Sequence, residues 1–170
     1  MGYWGYFVVG RDARPLAGLD ALAGADGMTL RTSAPGGWQV WEYPSRDGDV
    51  GGMNALARET GAPALFGYVM DGDCVVVEAA APRSGTWTTC LARTAMAGHL
   101  GAGREGPALE DYFLEPGDAA ERAVGWAAEA GLTADADALA EVLAADPDPA
   151  HPMAENLFFR LLARLGVVPE

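Results

Sequence analysis

A chain of 170 residues, half of them apolar, is long enough for one domain that buries roughly 70% of its unfolded surface around a single core. Its net charge of −13 repels nucleic acid and anionic membrane, so direct binding to either is not expected. No apolar run reaches the ~20 residues of a membrane span, and two cysteines are too few for a disulfide framework.

The elements follow in chain order. Tyr3 to Val9 is a β-prone aromatic and valine run without a basic leader before it, and reads as a strand of a soluble cytoplasmic protein. Leu16, Leu19 and Leu22, three residues apart, predict a short helix or 3₁₀ turn. Met28 to Thr32 and Trp38 to Tyr43 form a hairpin around Pro35-Gly36-Gly37, and a helix near Met53 to Thr60 stops at Gly61 and Pro63.

Ala64 to Ala79 is the clearest signal, two β-prone runs flanking Asp71-Gly72. Read as a two-residue turn, that pair sets Val69 opposite Cys74, Gly67 opposite Val76 and Leu65 opposite Glu78. Thr86 to Cys90 adds a further antiparallel strand, and a helix over about 91–99 leads into a glycine-rich loop with Arg104 and Glu105.

Beyond residue 105 the pattern is helical. Asp118 and Glu121 predict a capping box for a helix that Gly131 ends, and Thr133 is expected to cap the next. The proline-broken stretch 146–152 precedes a last amphipathic helix, with Pro152 in its first turn and Leu157, Phe158, Leu161, Leu162 and Leu165 on one face. The result is an α+β fold, a mixed or mainly antiparallel sheet of five to six strands, with flanking helices and an all-helical C-terminal part. Residues 1–104 are expected to form the sheet core and 105–170 an acidic helical extension packed on it within one domain. The first six elements follow the split β-α-β order of ferredoxin-like folds.

The charge is unevenly placed. Residues 105–155 hold 13 acids against Arg122 alone, whereas residues 1–104 hold 10 acids and eight arginines. Such a segment suits a solvated face, a basic protein partner, or mimicry of nucleic acid.

For chemistry, the turn above places Glu78 among core positions beside Cys74, and Tyr68 stands close by. Glu78, Cys74 and Tyr68 are therefore the candidate ligand-binding residues, since a carboxylate in an apolar setting is a common ingredient of a site. The bland alternative has Glu78 reaching water or pairing with Arg83. Trp38 and Trp41 differ by an odd number along one strand and face opposite ways, so either both lie under helices on the two sides of the sheet or one is free to join Tyr43, Arg31 and Arg46 in an aromatic and arginine patch. Trp38, Trp41 and Tyr43 are the candidate protein-binding residues.

Nothing in the sequence calls for a cofactor or a metal. Asp71 and Asp73 lack the remaining ligands of a calcium loop, Asp146, Asp148 and His151 are separated by prolines, and no nucleophile elbow or phosphate loop is present. No catalytic residue is assigned, which favours a non-enzymatic role. His99 is expected to interact favourably with the C-terminus of its helix.

With no lysine, no isoleucine and abundant alanine, the composition resembles that of high-GC, actinobacterial proteins. In composition and element order the chain is similar to small bacterial immunity and adaptor proteins, a likeness that carries over no residue. It implies a protein partner. The alternatives are a small-molecule-binding domain or enzyme with a pocket beside Glu78, and an acidic nucleic-acid mimic.

Overall fold

The computed structural model describes residues 2–100 and 109–169. Six strands form one antiparallel sheet: β1 (Gly5–Arg11), β2 (Thr29–Ala34), β3 (Trp38–Tyr43), β4 (Ala64–Met70), β5 (Cys74–Ala81) and β6 (Gly85–Leu91), in the order β2-β3-β1-β4-β5-β6. Five α-helices accompany them: α1 (Met53–Thr60), α2 (Arg93–Leu100), α3 (Pro116–Glu129), α4 (Ala136–Ala144) and α5 (Ala154–Leu165). This is the α+β fold the sequence predicts, with every strand pairing antiparallel.

Two crossovers interlock at the centre. β1 and β2 run parallel with β3 between them, and β3 and β4 run parallel with β1 between them. The first crossover is two 3₁₀ turns, Leu16–Gly18 and Asp20–Leu22, and the second is α1. Both obey the split β-α-β connectivity expected from element order, and the meander β4-β5-β6 then extends the sheet.

Burial on both faces explains why β1 is apolar at consecutive positions. Val8 packs with Leu16, Leu19, Leu22, Met53, Leu56 and Phe66 under the turns and α1. Phe7 and Val9 belong to a second core with Trp38, Val40, Leu65, Val77 and Ala79, closed by residues of α3, α4 and α5 such as Trp126, Leu139, Phe158 and Leu161. The acidic segment therefore contributes an apolar face to this core.

Local signals place the helix ends. Gly61 at φ +68° and Gly166 at φ +89° close α1 and α5 in the left-handed conformation that glycine adopts freely. The N-termini of α3, α4 and α5 differ from expectation. α3 starts at Pro116 after Glu115, so Asp118 lies inside its first turn rather than at the cap; proline at the first helical position needs no N–H there. α4 is capped by Asp135, whose side chain accepts from the Asp137 N–H, and not by Thr133. α5 begins at Ala154, leaving Pro152 outside it.

The hairpin β4–β5 also departs from expectation. Asp71 (φ 55°) and Gly72 (φ 67°) form the tight turn, closed by the Asp73 N–H donating to the Met70 carbonyl at 3.0 Å. Pairing then resumes with Met70 opposite Cys74, which makes Asp73 an extra residue and shifts the register by one. Gly67 faces Val77 and Phe66 faces Glu78. The expected pairs Val69 with Cys74, Gly67 with Val76 and Leu65 with Glu78 do not form.

The two sheet edges differ. Along β6, the Leu114 N–H donates to the Thr88 carbonyl (3.0 Å) and Arg122 donates to the carbonyls of Thr86 (2.9 Å) and Ser84 (3.2 Å). Among the described residues β2 has no strand on its outer side, and Thr29 to Ser33 are exposed throughout. A bulge between Leu30 and Thr32 interrupts that edge at Arg31, a device that discourages indiscriminate strand addition. The glycine-rich loop with Arg104 and Glu105 lies outside the described residues.

Candidate binding surfaces

Register decides what surrounds Glu78. Strand alternation places it with Val76 and Cys74 on one face of β5, opposite Phe66, Tyr68 and Met70 of β4. Gly67, Val69 and Leu65 belong to the other face, so the open space expected above the glycine is not beside the carboxylate. Instead, Glu78 Oε2 accepts from the Met53 N–H at 2.9 Å, at the start of α1. The residue at that helix's own cap is Gly52, which has no side chain to offer. Glu78 thus supplies from the sheet the acceptor and negative charge that a helix N-terminus favours, a structural task that neither of the sequence readings anticipated. No ion pair joins Arg83 to Glu78 among the described residues; the Arg83 backbone N–H donates to Glu129.

Cys74 and Tyr68 have separate surroundings. Cys74 is fully buried with its Sγ 3.9 Å from Met96 Sδ in α2, while the half-buried Tyr68 stacks on Tyr6 at 4.5 Å and donates to the Arg46 carbonyl at 2.9 Å. Burial pushes the Cys74 thiol up to about 12 and the Cys90 thiol up to about 11. Because the thiolate is the reactive species, neither cysteine should react with a maleimide or disulfide reagent at pH 8 in the folded chain. Thiol counting in native buffer should give no fast-reacting group, and in denaturant two. A rapid equivalent in native buffer would show that one thiol is accessible.

The tryptophan pair divides as its odd spacing requires. Trp38, 2% exposed, is a core residue whose ring is tilted against that of Trp126, with centroids 5.7 Å apart. It presents almost no surface of its own, although it also belongs to the lining of the cleft beside Trp41. Trp41 looks the other way, half-buried, its indole N–H donating to Gln39 Oε1 at 2.8 Å. It lines a cleft of about 350 Å³ with Leu30, Ala13, Pro15 and Ala34. Leu30, at 50% exposure, stands at the free edge strand. Tyr43 lies outside this cleft, ring to ring with Tyr6 at 6.2 Å.

The arginines expected beside these rings go elsewhere. Arg46 covers Trp4 at 4.4 Å, and Arg31 lies 5.9 Å from the Phe7 ring and 6.0 Å from that of Phe159. His99 sits in the last turn of α2, as predicted, with Nε2 3.6 Å from Asp73 Oδ2.

Sequence reasoning missed a third place, between β1, β3 and the start of α5. Tyr3, Phe7, Arg31, Glu42, Met153, Glu155, Asn156 and Phe159 surround a cavity of about 250 Å³. The Tyr3 hydroxyl donates to Glu42 Oε2 at 2.7 Å, and Arg31 Nη1 lies 3.2 Å from Glu42 Oε1. Burial and the bond to Glu42 push the Tyr3 phenol well up. These side chains come from separate segments, and no spacing in the sequence links them.

Among the described residues no three His, Cys, Asp or Glu side chains converge on a metal position, and no helix is long and apolar enough to cross a membrane. No family model, curated protein or solved structure matches the chain. Fold and surface chemistry define the class to which it can be assigned, an α+β domain with a six-stranded antiparallel sheet.

Proposed function

We propose that this chain is a non-catalytic protein-binding domain that engages its partner through the cleft at the β2 edge. The observation that carries the reading is Leu30, an apolar side chain half in solvent on the unpaired edge, adjoining a cleft walled by Trp41 and Pro15. Large apolar groups around an aromatic anchor are what a protein interface uses at its centre. The contrast with the β6 edge, closed by Leu114 and Arg122, supports assigning the contact to the β2 side. Glu78, committed to α1, leaves the small-molecule reading with less support.

The test is capture from cell lysate with the parent chain and with Leu30→Asp, followed by a direct titration of the partner identified. Leu30 is exposed, so the substitution should leave the circular dichroism spectrum and melting temperature unchanged. A partner retained by the parent and bound at least about tenfold more weakly by the variant is the expected result, since a charge placed in an apolar contact leaves it desolvated and unpaired. Equal retention by Leu30→Asp and by Trp41→Ala would remove this surface from consideration.

A further inference from the structure

The cavity between β1, β3 and α5 brings aromatic rings and carboxylates together beside one buried acceptor that has no donor. Three aromatic rings, Tyr3, Phe7 and Phe159, line it, with Tyr3 stacked on Phe7 at 5.8 Å and Phe159 edge-on to Phe7 at 5.1 Å. Aromatic faces and carboxylates together attract organic cations, the rings by their quadrupole and the carboxylates by charge and hydrogen bonds. The chain already uses the place this way, because the Arg31 guanidinium lies within 6.0 Å of both Phe rings and is paired with Glu42.

That single cation does not balance the site. Two carboxylates, Glu42 and Glu155, face one guanidinium, and the Tyr3 hydroxyl is spent on Glu42. Glu155 Oε1 is shut off from solvent and has no hydrogen-bond partner among the described residues. A buried carboxylate oxygen without a donor costs free energy, and native structures tolerate it mainly where something else completes the site. Burial, reinforced by the neighbouring Glu42, raises the pKa of this carboxyl against the opposing pull of its own backbone N–H and of Arg31.

We propose that this cavity binds an organic monocation, an ammonium group on an apolar chain, with the ammonium donating to Glu155 and the chain lying along Phe159 and Met153. Two sources share that chemistry, a free alkylamine and a lysine side chain presented by a partner. The site is separate from the Leu30–Trp41 cleft and does not depend on the reading given for it.

Calorimetric titration of the full chain tests this with three probes: n-butylammonium, a lysine blocked at both termini, and n-butanol as the uncharged counterpart. A saturable signal of one equivalent is expected with at least one cation and none with the alcohol. Glu155→Gln should weaken the cation about tenfold by removing the charge while keeping the shape. Arg31→Gln, at a side chain 54% exposed, should tighten it several-fold by removing the internal competitor. Leu30→Asp should leave it unaltered. Tighter binding of the blocked lysine points to a partner's side chain, and tighter binding of the alkylamine to a free amine. No saturable binding of either cation, equal binding of the alcohol, or affinities indifferent to both Glu155→Gln and Arg31→Gln would overturn the assignment.

Discussion

Replacing Trp126 by alanine is expected to destabilise the protein by about 3–5 kcal/mol, the range for removing a large buried aromatic. Trp126 is fully buried on the sheet-facing side of α3, its ring tilted against that of Trp38 with centroids 5.7 Å apart. Its indole N–H is shared between the carbonyls of Ala64 and Ala80, both at 3.1 Å, at one end of the β4–β5 ladder. Alanine would therefore open a cavity and also deprive two strand carbonyls of their side-chain donor. In a chain of this size each kcal/mol lowers the melting temperature by roughly 2–4 °C, so a fall of roughly 6–20 °C is expected in a thermal melt. Trp126→Phe keeps an aromatic ring but loses the donor and part of the indole's volume, and should cost about 1–3 kcal/mol. Similar small losses for both variants would mean that α3 is only loosely attached to the sheet.

The same residue shows what the sequence could and could not announce. The odd spacing of Trp38 and Trp41 was enough to place them on opposite faces, because strand alternation is local. Which of them lies in the core depends on Trp126, 88 residues away in sequence from Trp38, and no local pattern carries that. The Asp71-Gly72 turn was legible from its dipeptide, whereas the register was not. The added residue is Asp73, and one residue in a hairpin moves every side chain of one strand relative to its partner. That shift took Glu78 out of the imagined pocket and onto the N-terminus of α1, where glycine at the cap was the one available hint. The start of α3 had its signal in Pro116 but was outweighed by an Asp-x-x-Glu spacing that fits a capping box equally well. The cavity of Tyr3, Arg31, Glu42 and Glu155 was illegible for a different reason. It draws on the chain's first residues, the β2–β3 hairpin and the start of α5, which only the tertiary fold brings together.

Gly67→Ala should cost about 1–3 kcal/mol, the usual penalty for overpacking a filled core. Gly67 sits mid-strand in β4, and its backbone is not among those with positive φ, so alanine meets no conformational barrier there and would ordinarily favour the folded chain. The obstacle is Phe158. A Cβ on residue 67 would lie 2.5 Å from Phe158 Cε1 and 2.6 Å from Cδ1, well inside van der Waals contact. The ring cannot easily retreat, being fully buried and held between Phe7 (6.0 Å) and Phe159 (5.8 Å). Gly67 is thus the notch that lets α5 seat its aromatic side chains against β1 and β4. Phe158→Leu in the Gly67→Ala background should recover part of the loss. Because the two residues touch, their effects should be non-additive by about 0.5–3 kcal/mol. A double-mutant cycle read by urea unfolding checks this, and additive losses would show that the ring moves aside for the methyl group. Since Phe159, next to Phe158 on α5, lines the cation cavity, the crowded chain should also bind n-butylammonium less well, and the Phe158→Leu background should restore that binding alongside stability.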